Sequence, residues 1–145
     1  MTPREDFIMD LQKRFVAMGV KFVTRNLRLV GGIRDFPTIF LVDLGDEVES
    51  SRGAPQPTYQ RRWNLTILAA IMGSNEDKAP AEMSVFMDSL RSALYARGDK
   101  VGITARGRLE ETSRTQLIFP QTGNSVVAQG IQIAIEYIDQ TVSAS

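Results

Sequence analysis

The amino-acid sequence predicts an α+β domain: a mixed, mostly antiparallel β-sheet with two main helices packed on one face and a C-terminal β-hairpin. Three observations lead there. Apolar residues recur at helical spacing in two separate segments, runs of period two lie between and after them, and the last third reads as two strands around the turn residues "PQTGN". Helix, strands, helix and hairpin in that order describe a sheet with its helices on one side.

The opening "TPRE" is a helix start. Thr2 can cap, Pro3 suits the first helical position, and Glu5 stands where a capping box places its acid. Phe7, Ile8, Leu11, Phe15 and Met18 then form an apolar stripe, and Gly19 is the expected stop. Lys21 to Val30 is β-prone and only partly alternating, closed by Gly31 and Gly32. Phe36 to Leu44, "FPTIFLVDL", is apolar at both parities, which predicts a strand covered on both sides, with Pro37 near its start. From Tyr59 to Ile71 the odd positions Tyr59, Trp63, Leu65, Ile67, Ala69 and Ile71 make one apolar face. The second helix begins near Pro80, buries Met83, Phe86, Met87, Leu90 and Leu94, and is expected to close at Gly98. Leu109 to Phe119 and Val126 to Ile138 form the hairpin; Ile131, Ile133, Ile135 and Tyr137 alternate and should face the core.

The 145 residues fit one domain spanning 1–145, with a flexible loop at about 45–58 and no internal repeat. Lys+Arg and Asp+Glu balance at 17 each, so no global field draws the chain to nucleic acid or an anionic membrane. Cysteine is absent, which removes disulfides and thiolate chemistry. Histidine is absent too, and with it the commonest metal ligand and the usual general base near neutral pH. "MTPREDF" is too charged for a signal peptide, and Leu65 to Met72 is far short of the about 20 apolar residues that span a membrane. Both point to assembly in the cytoplasm.

Motifs of catalysis are tested and rejected. Glu110 and Glu111 are neighbours on a strand and point to opposite faces, so they cannot share a substrate. Asp43, Asp46, Glu47 and Glu49 lack the spacing of a calcium loop and read as a solvated strand end. "VGGIRDF" is no phosphate-binding loop. Arg97 to Asp99, "RGD", is explained by helix-stop chemistry at Gly98, and the "NLT" at Asn64 lies in a strand. The expectation is a protein that is no enzyme and has no cofactor, metal or catalytic residue.

What remains is the polar run Val48 to Thr58. Gly53, Pro55 and Pro57 bar helix and central strand alike, and a long structureless segment in a compact domain has a use or is disordered. Acids precede it and arginines follow it, a segregation that suits head-to-tail docking of copies around a ring. The expected contact residues are Glu47, Glu49, Arg52, Gln56, Tyr59, Arg61 and Arg62.

The whole arrangement resembles the tail terminator (tail completion) proteins of long-tailed bacteriophages. The capped first helix opens it; the strand "FPTIFLVDLGDE" leads into the "GAPQP" loop, and "TYQRRWNLTILAAIMG" follows. The helix "PAEMSVFMDSLRSALYARG" and the hairpin "LEETSRTQLIFPQTGNSVVAQGIQIAIEYID" complete it. The resemblance implies a structural virion protein at the head-proximal end of the tail. Its partners would be itself, as a homo-hexamer ring, the tail tube protein whose growth the ring stops, a neck or connector protein, and the sheath in contractile tails. Genomic DNA would only pass through the lumen. Such proteins have no catalytic residues to carry over. Two rivals remain: another neck or head–tail joining protein, or a nucleic-acid module using Arg106, Arg108 and Arg114.

Overall fold

The structure is a computed structural model that describes residues 2–25, 36–52, 58–75, 77–114 and 126–139. Helix α1 spans Pro3–Ala17 and strand β1 Phe22–Thr24. Strands β2 (Thr38–Arg52) and β3 (Thr58–Met72) follow, then helix α2 (Ala79–Leu94), β4 (Ala96–Val101), β5 (Gly107–Arg114) and β6 (Val126–Asp139). The strands form one sheet in the order β1-β2-β3-β6-β5-β4. Among the described residues only the short β1–β2 pairing is parallel; the rest are antiparallel. The fold is therefore the expected α+β sheet with a closing β5–β6 hairpin.

Local chemistry sets the ends of α1. The Thr2 hydroxyl accepts from the Glu5 N–H at 3.2 Å, and Pro3 takes the first turn where its missing donor costs nothing. Glu5 does not fold back to finish a capping box; it pairs with Arg25 at 2.8 Å. At the other end Gly19, at φ +101°, forms a Schellman turn: its N–H bonds to Val16 and that of Val20 to Phe15. Val20 and Phe15 are both buried, supplying the hydrophobic contact that accompanies such a turn.

The core lies between the helices and one face of the sheet. Phe7, Leu11 and Phe15 of α1 and Met83, Met87, Leu90 and Leu94 of α2 meet Ile39, Leu41, Trp63, Leu65, Ile67, Ile131, Ile133 and Ile135. The alternation in β3 and β6 thus sorts as the sequence predicts. Pairing Leu65 with Ile133 and Ile67 with Ile131 puts like with like across the ladder. Strand β2 is interior, with Ile39 and Leu41 toward the helices and Phe40 buried on the opposite face.

Two expectations are corrected. The segment read as a loop from 45 is strand as far as Arg52, paired with Thr58 to Trp63 of β3. A bulge between Asp43 and Asp46 permits this: Gly45, at φ +93°, absorbs the irregularity, and the Asp43 carboxylate accepts the Gly45 N–H at 2.7 Å. A run with little strand propensity is held in place by its partner. Residues 53–57 of the expected loop lie outside the described residues.

The second helix stops at Leu94, not at Gly98, which lies within β4. Arg14 of α1 braces that end: its guanidinium donates to the Leu94 carbonyl, an acceptor that the helix itself leaves without a partner, and to the Lys100 carbonyl of β4. Arg14 belongs to a buried polar seam on α1. Asp10 accepts from Arg14 at 2.7 Å and from the Gly102 N–H at 2.8 Å. Asp6 accepts from the Ile103 N–H at 3.0 Å and the Thr104 hydroxyl at 2.8 Å. Three charged side chains inside the core tie the β4–β5 connection to the first helix.

Candidate assembly surface

Cross-strand register gathers five charged residues of the helix-free face into a single row. Glu47 of β2 stands opposite Arg62 of β3, and Arg62 opposite Glu136 of β6. Glu136 in turn faces Arg108 of β5, and Arg108 faces Lys100 of β4. Directly paired residues project from the same side of a sheet, so these five side chains form one rung across the molecule. Arg62 is its anchor, reaching Glu136 and Glu110 at 3.0 Å each. Arg108 lies 3.8 Å from Asp99.

The opposite parity builds a second cluster on the helix side. Arg4 of α1 reaches Asp46 at 2.6 Å and Asp43 at 3.5 Å, and its guanidinium sits 5.3 Å from the Trp63 ring centroid. The Trp63 indole N–H donates to Asp43 at 2.8 Å. Arg61 lies 3.8 Å from Asp46 and 5.4 Å from the Tyr59 ring centroid. Partial burial would lift the Asp43 pKa, but the hydrogen bonds from Trp63 and Gly45, helped by Arg4, outweigh it and hold the carboxyl below its usual range. Asp43 and Asp46 are thus structural acids facing arginine and indole. Among the described residues no group of three or more acids could hold a metal ion.

Of the expected contact residues, Glu47 and Arg62 fall on the same rung, while Tyr59 and Arg61 face the other side. Adjacent arginines on a strand must part in this way, so Arg61 and Arg62 do not form one basic patch. Glu49 and Arg52 lie in β2 by their backbone, and Gln56 lies outside the described residues. Glu110 and Glu111 diverge as expected, Glu110 to Arg62 at 3.0 Å and Glu111 to Arg91 of α2 at 3.4 Å.

The sequence reading missed Glu136 and Lys100 as members of the rung, because only strand register brings positions so far apart together. It also missed Asp6, Asp10 and Arg14. Their signal was present: each precedes a core residue (Phe7, Leu11, Phe15), which places charge beside the buried stripe.

The end of the sheet beyond the helices exposes apolar side chains. Leu44 in the bulge, Val48 of β2 and Ile138 of β6 are 52%, 53% and 59% exposed. Val48 shares the Arg61 position on the helix side, and Ile138 pairs with Gln60 and points to the other face. A shallow groove along α1 is lined, among the described residues, by Met9, Gln12, Lys13, Val16 and Ala17. No protein family and no functionally characterised protein matches the sequence.

Proposed function

We propose that the chain is a tail terminator, a structural virion protein that assembles as a hexameric ring on the end of a bacteriophage tail tube. In this reading it stops elongation and presents a surface to the neck, acting by contact and not by catalysis. The observation that carries the reading is the apolar end of the sheet. Leu44, Val48 and Ile138 are apolar side chains about half exposed to water in the single chain, Val48 on the helix side of the sheet and Ile138 on the helix-free face. Contact with a second protein would remove them from water. The resemblance in element order and in the β2–β3 segment supplies the identity of that partner as tube and ring.

The nucleic-acid alternative loses ground on geometry. Arg106 stands 3.7 Å from buried Asp6, and Arg108 is shared with Asp99, so their charge is already answered in part. The test is to add purified chain to polymerising tail tubes and measure tube lengths by negative-stain microscopy. Tubes capped by a ring at one end, with a narrowed length distribution, are the expected result. An unchanged distribution with bare ends overturns the proposal.

A further inference from the structure

The rung on the helix-free face has unequal ends. Its order is Glu47, Arg62, Glu136, Arg108, Lys100: the signs alternate from β2 through β5 and then a cation follows a cation. Like charges directly opposite on a sheet repel, so the β4 end has a surplus of positive charge that a carboxylate would relieve. Lys100 is exposed, on the edge strand, and among the described residues its ammonium has no carboxylate within ion-pairing distance. Glu47 at the far end is exposed as well and has no ion pair among the described residues. Strand β1 pairs with β2 only at Thr38 to Phe40, so among the described residues no strand lies outside Glu47.

The surroundings repeat the asymmetry. The run Ala96 to Arg108 contains the cations Arg97, Lys100, Arg106 and Arg108 against the single acid Asp99. The β2 run Asp43 to Arg52 contains Asp43, Asp46, Glu47 and Glu49 against the single cation Arg52. Much of each set is answered inside the chain, Arg97 and Arg106 by Asp10 and Asp6, and Asp43 and Asp46 by Arg4 and Arg61, which leaves Lys100 and Glu47 toward opposite edges of the sheet, four strand spacings or roughly 19 Å apart. A chain with balanced total charge, split in this way, is complementary to its own copy in a head-to-tail sense and not in a two-fold one.

We propose that the β4 edge of one copy docks beside the β2 edge of the next, so that Lys100 meets Glu47 and the alternating rung continues from subunit to subunit. The proposal rests on the ring reading and specifies its interface. The heterologous contact closes on itself only when the rotation per copy divides a full turn. It also moves the basic partner from Arg61 and Arg62, which are committed within the chain, to β4.

The experiment is sedimentation velocity and native mass spectrometry of the whole chain at low and high salt, with Glu47→Lys and Lys100→Glu. Each side chain is exposed, so both variants should fold; Glu47→Lys, which gains a like charge opposite Arg62, should melt slightly below the wild type, and Lys100→Glu, which loses one opposite Arg108, slightly above it. Glu47→Lys has cations at both ends of the rung and Lys100→Glu acids at both, so each alone should self-associate about tenfold more weakly at low salt. An equimolar mixture of the two should assemble with strictly alternating copies, and the difference should fade near 0.5 M salt, where the Debye length is only about 4 Å. Wild-type chain that stays monomeric at low salt overturns this inference and leaves the ring reading to the tail-tube assay. Rings that form equally well from all variants overturn it while sustaining the ring. Salt-dependent retention of DNA that Lys100→Glu abolishes, with self-association unchanged, would assign the β4 cations to a polyanion and overturn it as well.

Discussion

At the scale of single residues, the side chains that matter most to stability are charged ones in the core. Asp10 and Arg14 are almost wholly buried, and Arg14 also serves two backbone carbonyls. Removing one partner strands the other without water, which costs far more than the intact pair contributes. Arg14→Ala should therefore lower unfolding free energy by about 3–5 kcal/mol in urea titrations. Lys13→Ala, one position away on the exposed side, should stay within about 0.5 kcal/mol. The Asp43 carboxyl gives a pH signature. Its folded pKa is below the ordinary 3.8, so its charge favours the native state fully above that value and the benefit is lost as pH falls through the folded pKa. Asp43→Asn keeps an acceptor for Trp63 and removes only the charge. The stability gap between wild type and Asp43→Asn should be constant from pH 7 to 5 and shrink below about pH 4. A gap that stays undiminished well below pH 3.8 would show that charge is not what Asp43 supplies.

At the scale of elements, two glycines are fixed by opposite causes. Gly19 is required by backbone conformation: its φ of +101° closes α1, and nothing stands within 4 Å of where a Cβ would go. Gly19→Ala should cost about 1–2 kcal/mol through strain alone. Gly107 is required by space. A Cβ there would lie 2.7 Å from Phe7, 2.8 Å from Val101 and 2.9 Å from Ile135, all packed core atoms. Gly107→Ala should cost about 1–3 kcal/mol by overpacking, read as a lower urea midpoint with an unchanged slope. Gly107 opens β5 where it passes under α1, and that close approach brings Asp6 within reach of the β4–β5 connection. The expected strand at Phe36 to Leu44 and its continuation to Arg52 illustrate a different point: hydrophobic period marks where a strand begins, whereas pairing with β3 decides how far it runs.

At the scale of the whole molecule, the sheet extends further than its helical cover. The helix-facing residues Trp63, Leu65 and Ile67 of β3 and Ile131, Ile133 and Ile135 of β6 are buried, while Val48 and Ile138 toward the far end are open to water. Substituting these two by Glu removes nothing from the core, so Val48→Glu with Ile138→Glu should leave thermal stability within about 0.5 kcal/mol per site. If the ring forms on tail tubes as proposed, the same double variant should fail to cap them in the microscopy assay. A double variant that caps normally would mean that the apolar end is not the contact. Among the described residues no helix is long and apolar enough to cross a membrane.

The sequence by itself determined the parts governed by local periodicity and end chemistry. Both helices, the buried parity of β3 and β6, the Thr2 cap, the Gly19 stop and the divergence of Glu110 from Glu111 follow from spacing along the chain, because helix and strand geometry turn spacing directly into direction. Only the tertiary structure decided the rest. The bracing of the α2 end comes from Arg14 on another helix, the length of β2 from the ladder it shares with β3, and the rung from Glu47 to Lys100 from a strand order that no local pattern encodes. Those features depend on which distant segments meet, and contact between distant segments is settled by the packing of the whole chain.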